Sequence, residues 1–431
     1  MDKVLSTVDL EEVLTSPAFG EVLETLFLRK KAWENFQKLA LPARSVEAWK
    51  YIPAENFLNQ ETFELLHGIC PGTAEIEIPQ VIEDFDPVII DVYSGAPEVI
   101  SPAPFKLPTG LRASRTFREI NSNDRFRAQA FNPAGSADKL DYLIDSLFTD
   151  GVVLRFDKAY ENVSPIGVYA PIPSHQAKFS KSFVFVGADS SAEIILWIDG
   201  GAEKAQLFKW LTAQVQENAH LSITVIQVAD SSSKLLVRFK GSVHQDGSLV
   251  VNFINLGGGL VRNEITAEIL GRGAEAGLFG MTLADGTQRF DIHTYQSHQS
   301  PKGASRLRFK QVFMGESFGV FDGIIQVPST SAGSDAYQEN HNLLLSQKAK
   351  VYSIPRLEIN TDDVRCTHGA TVRHVLPHEV FYLRSRGLRE SVAKHLLVAS
   401  FLEEMTKKIP AEKIKLWVET FLRRKIESGI V

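Results

Sequence analysis

The N-terminal part of the chain carries apolar residues at a helical spacing. Between Leu10 and Leu58 they largely recur every three or four positions, which collects them on one face of a helix. This pattern predicts an N-terminal helical domain over residues 1–75. Residues 76–150 mix short apolar strands with a helical stretch near Ala137 to Leu147, and we interpret them as a mixed connector.

From Gly151 onward the chain shows short segments in which apolar and polar residues alternate. Such alternation is typical of β-strands, and no sustained helical period interrupts it for about two hundred residues. Strands without crossover helices exclude a doubly wound α/β fold and leave a sandwich, a barrel, a propeller or a parallel β-helix. The predicted strands include VVLRF, IGVYA, FVFVGA, AEIILWI, AQLFKWLTAQV, HLSITVIQV, KLLVRFKGSV, SLVVNFINL, NEITAEIL, RLRFKQVF and GIIQV.

Glycine-rich corners favour one of these β architectures. They recur at irregular intervals, at residues 257–259, 271–277, 284–286 and 314–319. The coils of a β-solenoid turn at small residues and stack their inward apolar rows on one another. We therefore predict a β-solenoid core over residues 151–376.

After Pro377 the helical spacing returns. One apolar stripe ends at the Ile409-Pro410 break, and a second stripe follows it. We predict two amphipathic helices within a C-terminal helical domain over residues 377–431. The first stripe comprises Leu388, Val392, Leu396, Ala399, Leu402 and Met405, and the second comprises Ile414, Trp417, Val418, Phe421 and Leu422.

The composition narrows the classes of partner and the compartment. The 431 residues are 44% hydrophobic and 23% charged, which is enough apolar material for a sizeable core. A net charge of -6 offers no general attraction for nucleic acid or an anionic membrane. No apolar stretch reaches the roughly 18 residues of a membrane span. Cys70 and Cys366 are the only cysteines, and the N-terminus lacks a secretory or transit pattern, so we expect a cytoplasmic protein.

The densest group of candidate chemical residues lies between Leu357 and Leu388. Cys366 and His368 are separated by a single residue, so an extended strand places both side chains on the same face. A thiolate and an imidazole together suit iron, zinc or an iron-sulfur cluster, but two ligands do not close a site. The alternative is a buried thiol beside a hydrogen-bonded imidazole.

Other polar residues near this pair have two interpretations. His374, His378 and Glu379 could add ligands if the chain turns after Gly369, or they could cap the helix that follows. Asp362-Asp363 suits a solvated turn better than a site for a hard cation.

A second polar collection lies earlier in the β region. We interpret it as the outer face or corners of coils, and we interpret residues 262–264 as an internal polar ladder rather than a small anion site. Gly315 to Gly319 reads GESFG, but a strand-like segment follows it, which argues against a nucleophilic Ser317. The chain has no Gly-Lys-Ser/Thr phosphate loop, so it should bind no nucleotide itself. The second collection comprises Asp291, His293, His298, Glu339 and His341.

Ordered motifs resemble the SufB/SufD family of iron-sulfur cluster assembly scaffolds. The segment NLLLSQKAKVYSIPRLEINTDDVRCTHGATV, followed by FYLRSRGL, is similar to the family signature, and the resemblance covers nearly the whole chain. Gly369 and the low cysteine count resemble the SufD type, because SufB-type members usually carry Glu at that position and more cysteines. The Arg373-His374 pair departs from the family pattern.

The resemblance implies a mainly β protein with a right-handed parallel β-helix core between N-terminal and C-terminal α-helical domains. It implies pairing with a SufB-like protomer through the terminal coils and docking of a SufC-like ATPase on the C-terminal helices. His368, favoured over Cys366, would then be a ligand at the heterodimer interface for a transient iron-sulfur cluster, or iron, shared with SufB. The expected ATPase-docking residues are Phe381, Tyr382, Leu383, Ser385, Arg386, Gly387 and Leu388.

The resemblance and the missing phosphate loop together predict a scaffold that catalyses nothing alone. Two alternatives remain open. One is a homodimeric scaffold of the same family, which is also the form the isolated chain could take. The other is a β-helical enzyme acting on polysaccharide, with Asp291 and Glu339 as candidate carboxylates.

Overall fold

The computed structural model describes residues 22–65, 79, 81, 88–90, 107–131, 138–149, 151–161, 164–201 and 203–428. Its centre consists of two large sheets that face each other. Sheet A contains β1 (Val88–Ile90), β4 (Ile166–Ile172), β6 (Ser191–Gly200), β8 (His220–Gln227), β10 (Ser248–Asn255), β12 (Glu275–Ala284), β14 (Ala304–Phe313), β16 (Ser334–Leu344) and β18 (Val364–His374), in that order. Sheet B contains β17 (Lys350–Ile359), β15 (Phe318–Val327), β13 (Arg289–His298), β11 (Leu260–Ile269), β9 (Lys234–Val243), β7 (Gln206–Val215), β5 (Ala177–Val186), β3 (Val152–Phe156) and β2 (Leu111–Arg115).

The chain alternates between the two sheets, so that each coil adds one strand to each. Leu260 pairs with Arg289, which in turn pairs with Phe318, in parallel ladders. The described exception is β2, which runs antiparallel to β3. The predicted fold class, a mainly β chain with a parallel β-solenoid core and helices on either side, is confirmed.

The solenoid interior is built from alternate residues of each strand. Along β11, for example, Val261, Ile265 and Ile269 point inward and are fully buried, whereas Glu264 lies on the opposite face. Burying an aliphatic side chain of this size stabilises the fold by about 1.5–3 kcal/mol. Successive coils stack closely at the corners, where a Cβ on Gly257 would lie 2.3 Å from the carbonyl oxygen of Ala229.

The described N-terminal elements cover the outer face of sheet B. They are α1 (Leu23–Lys38), short 3-10 turns at Glu47–Trp49 and Ala54–Asn56, α2 (Gln60–Glu64), α3 (Thr116–Ser122), α4 (Asp124–Ala130) and α5 (Lys139–Leu147). Aromatic residues on this layer, including Trp33 and Phe36, belong to one cluster with Phe208 of β7. Asp138 begins α5 as a capping box with Asp141. Leu10 and Cys70 lie outside the described residues.

The C-terminal helices cover the outer face of sheet A. They are α6 (Pro377–Ser385), α7 (Glu390–Thr406) and α8 (Glu412–Ser428). Val398 and Leu402 of α7 and Val418 of α8 pack into one cluster with strand residues such as Ile254. The predicted first stripe is wrong at Leu396, which is 43% exposed, because the buried face of α7 is rotated toward Val398. None of the helices in the described ranges is long and apolar enough to cross a membrane.

Candidate functional site

Cys366 and His368 lie in the last coil of the solenoid. Strand β18 is the final strand of sheet A, and within the described chain no further strand pairs with its free edge. Cys366 stands in register with Ala336, and His368 with Gln338, both of which are buried inward residues of β16. The two candidate ligands therefore continue the inward rows at the open end of the solenoid, on one strand face, as their spacing predicted.

Cys366 is half-buried in a small apolar cluster. Ile325, Val327 and Ala336 form its buried part, and Leu357 and other partly buried residues of the last coil pack against it. Burial raises the pKa of the Cys366 thiol, and a backbone hydrogen bond with Ala336 opposes that effect only in part. Because the thiolate is the form that binds metals, Cys366 is a weak ligand until a metal ion or a partner changes its surroundings.

His368 is exposed, so its ring is accessible from outside the solenoid. An imidazole and a thiol supply two of the four ligands that an iron-sulfur cluster or a tetrahedral metal needs. Among the described residues, no group of three or more His, Cys, Asp and Glu side chains could hold a metal ion. The pair can thus contribute to a site but needs ligands from elsewhere to complete it.

The residues that follow do not converge on this pair. The chain does not turn after Gly369, because β18 continues to His374, which lies roughly 20 Å along the strand from His368. Glu379 accepts the backbone N–H of Leu376 at 2.8 Å and pairs with Arg373 at 3.2 Å. Of the two interpretations, the capping role is therefore correct for Glu379. His378 lies in the same first turn of α6, and the exposed Asp362-Asp363 precedes β18 as a bend.

The prediction of an internal ladder at residues 262–264 is correct only for Asn263. Its side chain donates to Asn255 Oδ1 at 2.9 Å inside the solenoid, where Gln227 also joins it. Arg262 and Glu264 lie on the opposite face, because strand neighbours alternate, and they form an ion pair under the N-terminal layer.

Asp291 and His293 belong to this buried ion network. Asp291 contacts Arg262 and also lies 2.7 Å from the Nε2 atom of His293. Asp291 lies on the outer face of sheet B, as predicted, but the N-terminal layer covers it and leaves it buried. The outer-face prediction is wrong for His298. His298 points into the solenoid instead, next to the Ser305 hydroxyl, and its burial lowers its pKa to about 4.

Glu339 and His341 lie on the outer face of sheet A. Glu339 pairs with Arg308 at 2.5 Å, and His341 contacts the Thr371 hydroxyl at 2.8 Å. Ser317 is buried and donates to the Met314 carbonyl at a corner followed by β15, which does not fit a hydrolase elbow.

A cavity of about 650 Å³ lies between α5 and the outer face of sheet B. Its charged groups are engaged with one another: Lys181 contacts Asp145, and Lys240 lies 2.8 Å from Glu268. Burial raises the pKa of Asp145 more than Lys181 lowers it. The Lys181–Asp145 pair joins α5 to β5, whereas the Lys240–Glu268 pair joins two neighbouring strands of sheet B.

Sequence reasoning missed a polar column inside the solenoid. Amide and hydroxyl side chains occupy the same inward register in successive strands of sheet A, and each is fully buried. The sequence contains a signal for this column, a polar residue that recurs once per coil. The number of residues per coil varies, so the recurrence has no fixed period. The column comprises Gln227, Asn255, Thr282, Gln311 and Asn342.

The segment from Phe381 to Leu388 lies at the end of α6 and in the turn after it. No residue of α6 is buried, and Phe381 and Tyr382 are 72% and 58% exposed. Gly387 has a φ of 88°, which allows the tight turn into α7. The other residues expected to dock an ATPase, Leu383, Ser385, Arg386 and Leu388, are half-buried or exposed here.

Comparisons with known proteins agree with the motifs. A family model described as the SufBD core domain of SUF-system FeS cluster assembly matches residues 171–401. The chain is 23% identical over 422 residues to the iron-sulfur cluster assembly protein SufD of Escherichia coli, and the alignment covers 93% of each protein.

Two further relatives are named as iron-sulfur cluster assembly SufBD family proteins. The one from Synechocystis sp. is 35% identical over 162 residues, which span 38% of this chain but only 36% of that protein. The one from Mycobacterium tuberculosis is 25% identical over 316 residues, 70% of this chain and 75% of that protein. Because the family model spans more than half of the residues, the chain belongs to the SufBD family of iron-sulfur cluster assembly proteins.

Proposed function

We propose that this chain is a SufD-type, non-catalytic scaffold subunit. It pairs with a SufB-like protomer, docks a SufC-like ATPase and contributes to a nascent iron-sulfur cluster at the shared interface. The observation that carries this proposal is the position of Cys366 and His368: two ligands on one face of the last, uncovered coil. Such a half-site is useful only if another chain supplies the remaining ligands.

The open coil is suited to pairing with another solenoid. Strands β17 and β18 end their sheets, and edge strands of this length are ready to add further strands. Tyr352 and Val372 are 44% and 49% exposed on these two strands. A partner that continues both sheets would bury these side chains and enclose His368.

The C-terminal helices are suited to docking the ATPase. Helix α6 offers exposed aromatic side chains, which commonly anchor protein interfaces. It begins only three residues after β18 ends, so a movement of α6 acts directly on the strand that carries His368. ATP hydrolysis in the docked partner would in this way open or close the cluster site.

Co-expression with SufB-like and SufC-like partners tests the proposal. We expect a stable complex with bound iron and sulfide, and His368→Ala should lower both contents without preventing assembly. His220→Ala, at another exposed histidine, is the matched control and should change neither. A chain that stays alone beside both partners, or unchanged iron in the His368→Ala complex, would refute the proposal.

The alternatives make different predictions. A homodimeric scaffold would show twice the chain mass in isolation and keep it when the SufB-like protein is added. For a polysaccharide-active enzyme, Asp291 and Glu339 would have to face a groove, yet Asp291 is buried against Arg262 and Glu339 pairs with Arg308. Absence of turnover on polyuronates would agree with the scaffold.

A further inference from the structure

Gln338 lies directly behind His368 in the solenoid wall. It is a fully buried inward residue of β16, and its register partner on the last strand is His368. Adjacent strands lie about 4.8 Å apart, so in-register side chains on the same face are in contact range. Gln338 is therefore the buried polar group next to the exposed imidazole.

The amide of Gln338 has a defined orientation. Its Nε2 donates to the Gly323 carbonyl oxygen, 3.3 Å away across the interior. Gly323 makes room for this contact, because a Cβ there would lie 2.6 Å from the same Nε2 atom. In a flipped amide, Oε1 would take the place of Nε2, 3.3 Å from the Gly323 carbonyl oxygen, and two acceptors would face each other. The hydrogen bond therefore fixes which side of the amide carries Oε1.

The Oε1 atom of Gln338 is a buried acceptor that lacks a hydrogen-bond partner within the described part of the chain. An unpaired buried acceptor is unfavourable, so an adjacent donor is strongly attracted to it. The exposed ring of His368 can supply that donor. When one ring nitrogen of a histidine binds a metal ion, the other carries a proton and normally donates it to a nearby oxygen.

We propose that Gln338 is a positioning residue for His368. If the exposed His368 ring turns toward β16, Oε1 accepts the N–H of one ring nitrogen, and the other ring nitrogen is directed out of the open coil. The role toward a cluster rests on the proposed function, but the hydrogen bond itself does not. Cys366 has no equivalent support, since its register partner is Ala336.

Two variants remove this acceptor by independent routes. Gln338→Met preserves the side-chain length and removes both polar atoms. Gly323→Ala leaves Gln338 in the sequence but displaces its amide. The matched control is Gln311→Met, which replaces another fully buried inward glutamine that is out of register with His368.

The first measurement is the ring tautomer of His368 in the isolated full-length chain. Ring ¹⁵N chemical shifts report it in alkaline solution, and the signals are assigned by their loss in His368→Ala. We expect one tautomer to exceed the other about fivefold in the parent chain and in Gln311→Met, as one added hydrogen bond allows. The excess should disappear in Gln338→Met and Gly323→Ala. An unchanged tautomer ratio in those two variants overturns the inference.

The second measurement is the iron and sulfide content of the co-expressed complex. Loss of an outer hydrogen bond to a metal-binding histidine typically weakens the site by about 10- to 100-fold, so Gln338→Met and Gly323→Ala complexes should hold far less iron than Gln311→Met. Normal iron in Gln338→Met together with depleted iron in His368→Ala refutes the positioning role alone. Normal iron in His368→Ala refutes the proposed function, and the tautomer result then stands separately.

Discussion

Replacing Arg262 by Met should destabilise the contact between the N-terminal layer and sheet B around Trp49. The Arg262 side chain is 2% exposed, and its guanidinium lies 3.7 Å from the centre of the Trp49 ring. It donates to the Ala48 carbonyl at 2.9 Å and to Glu264 at 2.6 Å, and it also contacts Asp291. Methionine fills a similar length, so the variant mainly removes the charge and its hydrogen bonds.

The expected loss follows from the carboxylate that remains. Asp291 is also 2% exposed, and removing one member of a buried ion pair typically costs about 3–5 kcal/mol because the other charge stays desolvated. The stacking on Trp49 belongs to the same contact and is not added separately. The double variant Arg262→Met/Asp291→Leu removes both charges and should be destabilised less than the single variant.

The midpoint of urea unfolding measures this loss, and amide exchange over residues 46–52 locates it. Arg112→Met is the control, because the Arg112 pair with Asp157 is 70% and 48% exposed and should contribute roughly 0–1 kcal/mol. A loss below about 1 kcal/mol for Arg262→Met would refute the reasoning, as would a double variant less stable than the single one.

Three further predictions concern acid stability, thiol reactivity and the C-terminal helices. Burial would raise the pKa of Glu264, but neighbouring guanidinium groups outweigh it and lower the pKa far below its usual value. Its contribution to stability is therefore present above pH of about 4.5 and is lost as the pH falls further. In a plot of the urea unfolding midpoint against pH, Glu264→Gln should reduce the slope on the acid side, and an unchanged slope would contradict this. Burial raises the pKa of Cys366, so less of the reactive thiolate is present at pH 8. In a Cys70→Ser variant, iodoacetamide should therefore label Cys366 several-fold more slowly than it labels a free thiol at pH 8. Equal labelling rates would argue against burial. Glu404→Gln removes the carboxylate of α7 that pairs with Arg308 and Lys310 and leaves the Arg308–Glu339 pair in place. Amide exchange in α7 should accelerate by an amount equivalent to roughly 0.5–1 kcal/mol, with the first strands of the solenoid as the internal reference, and unchanged exchange in α7 would contradict this.

The alternating pattern predicted most strands of the solenoid but not the close contacts between its coils. Alternation marked β9, β10 and β14 well, because most of their apolar residues face the interior. The exceptions, Leu236, Ile254 and Val312, face the helical layers that cover the sheets. It missed β12, which begins at Glu275 within a segment interpreted as a glycine corner, because Gly277 and Gly280 weaken the strand signal. Those glycines are needed for space: a Cβ on Gly280 would lie 2.2 Å from the Phe309 ring.

The candidate site shows the same division. A spacing of one residue is enough to place Cys366 and His368 on one strand face, and the ordered motifs around them were enough to indicate the SufBD family. The spacing could not indicate that their strand is the last one, that Cys366 enters an apolar cluster, or that Gln338 stands behind His368.

The sequence by itself thus determined the class of fold, the helical segments at both ends of the described chain and the residue pair of interest, because these depend on periodicity and local motifs. Only the tertiary structure decided which rows face inward, which carboxylates are buried under the N-terminal layer and which coil stays open. Those features arise between residues a full coil or more apart. They are set by the register of stacked strands and by the layers that cover the sheets, and neither leaves a period that can be followed along the chain.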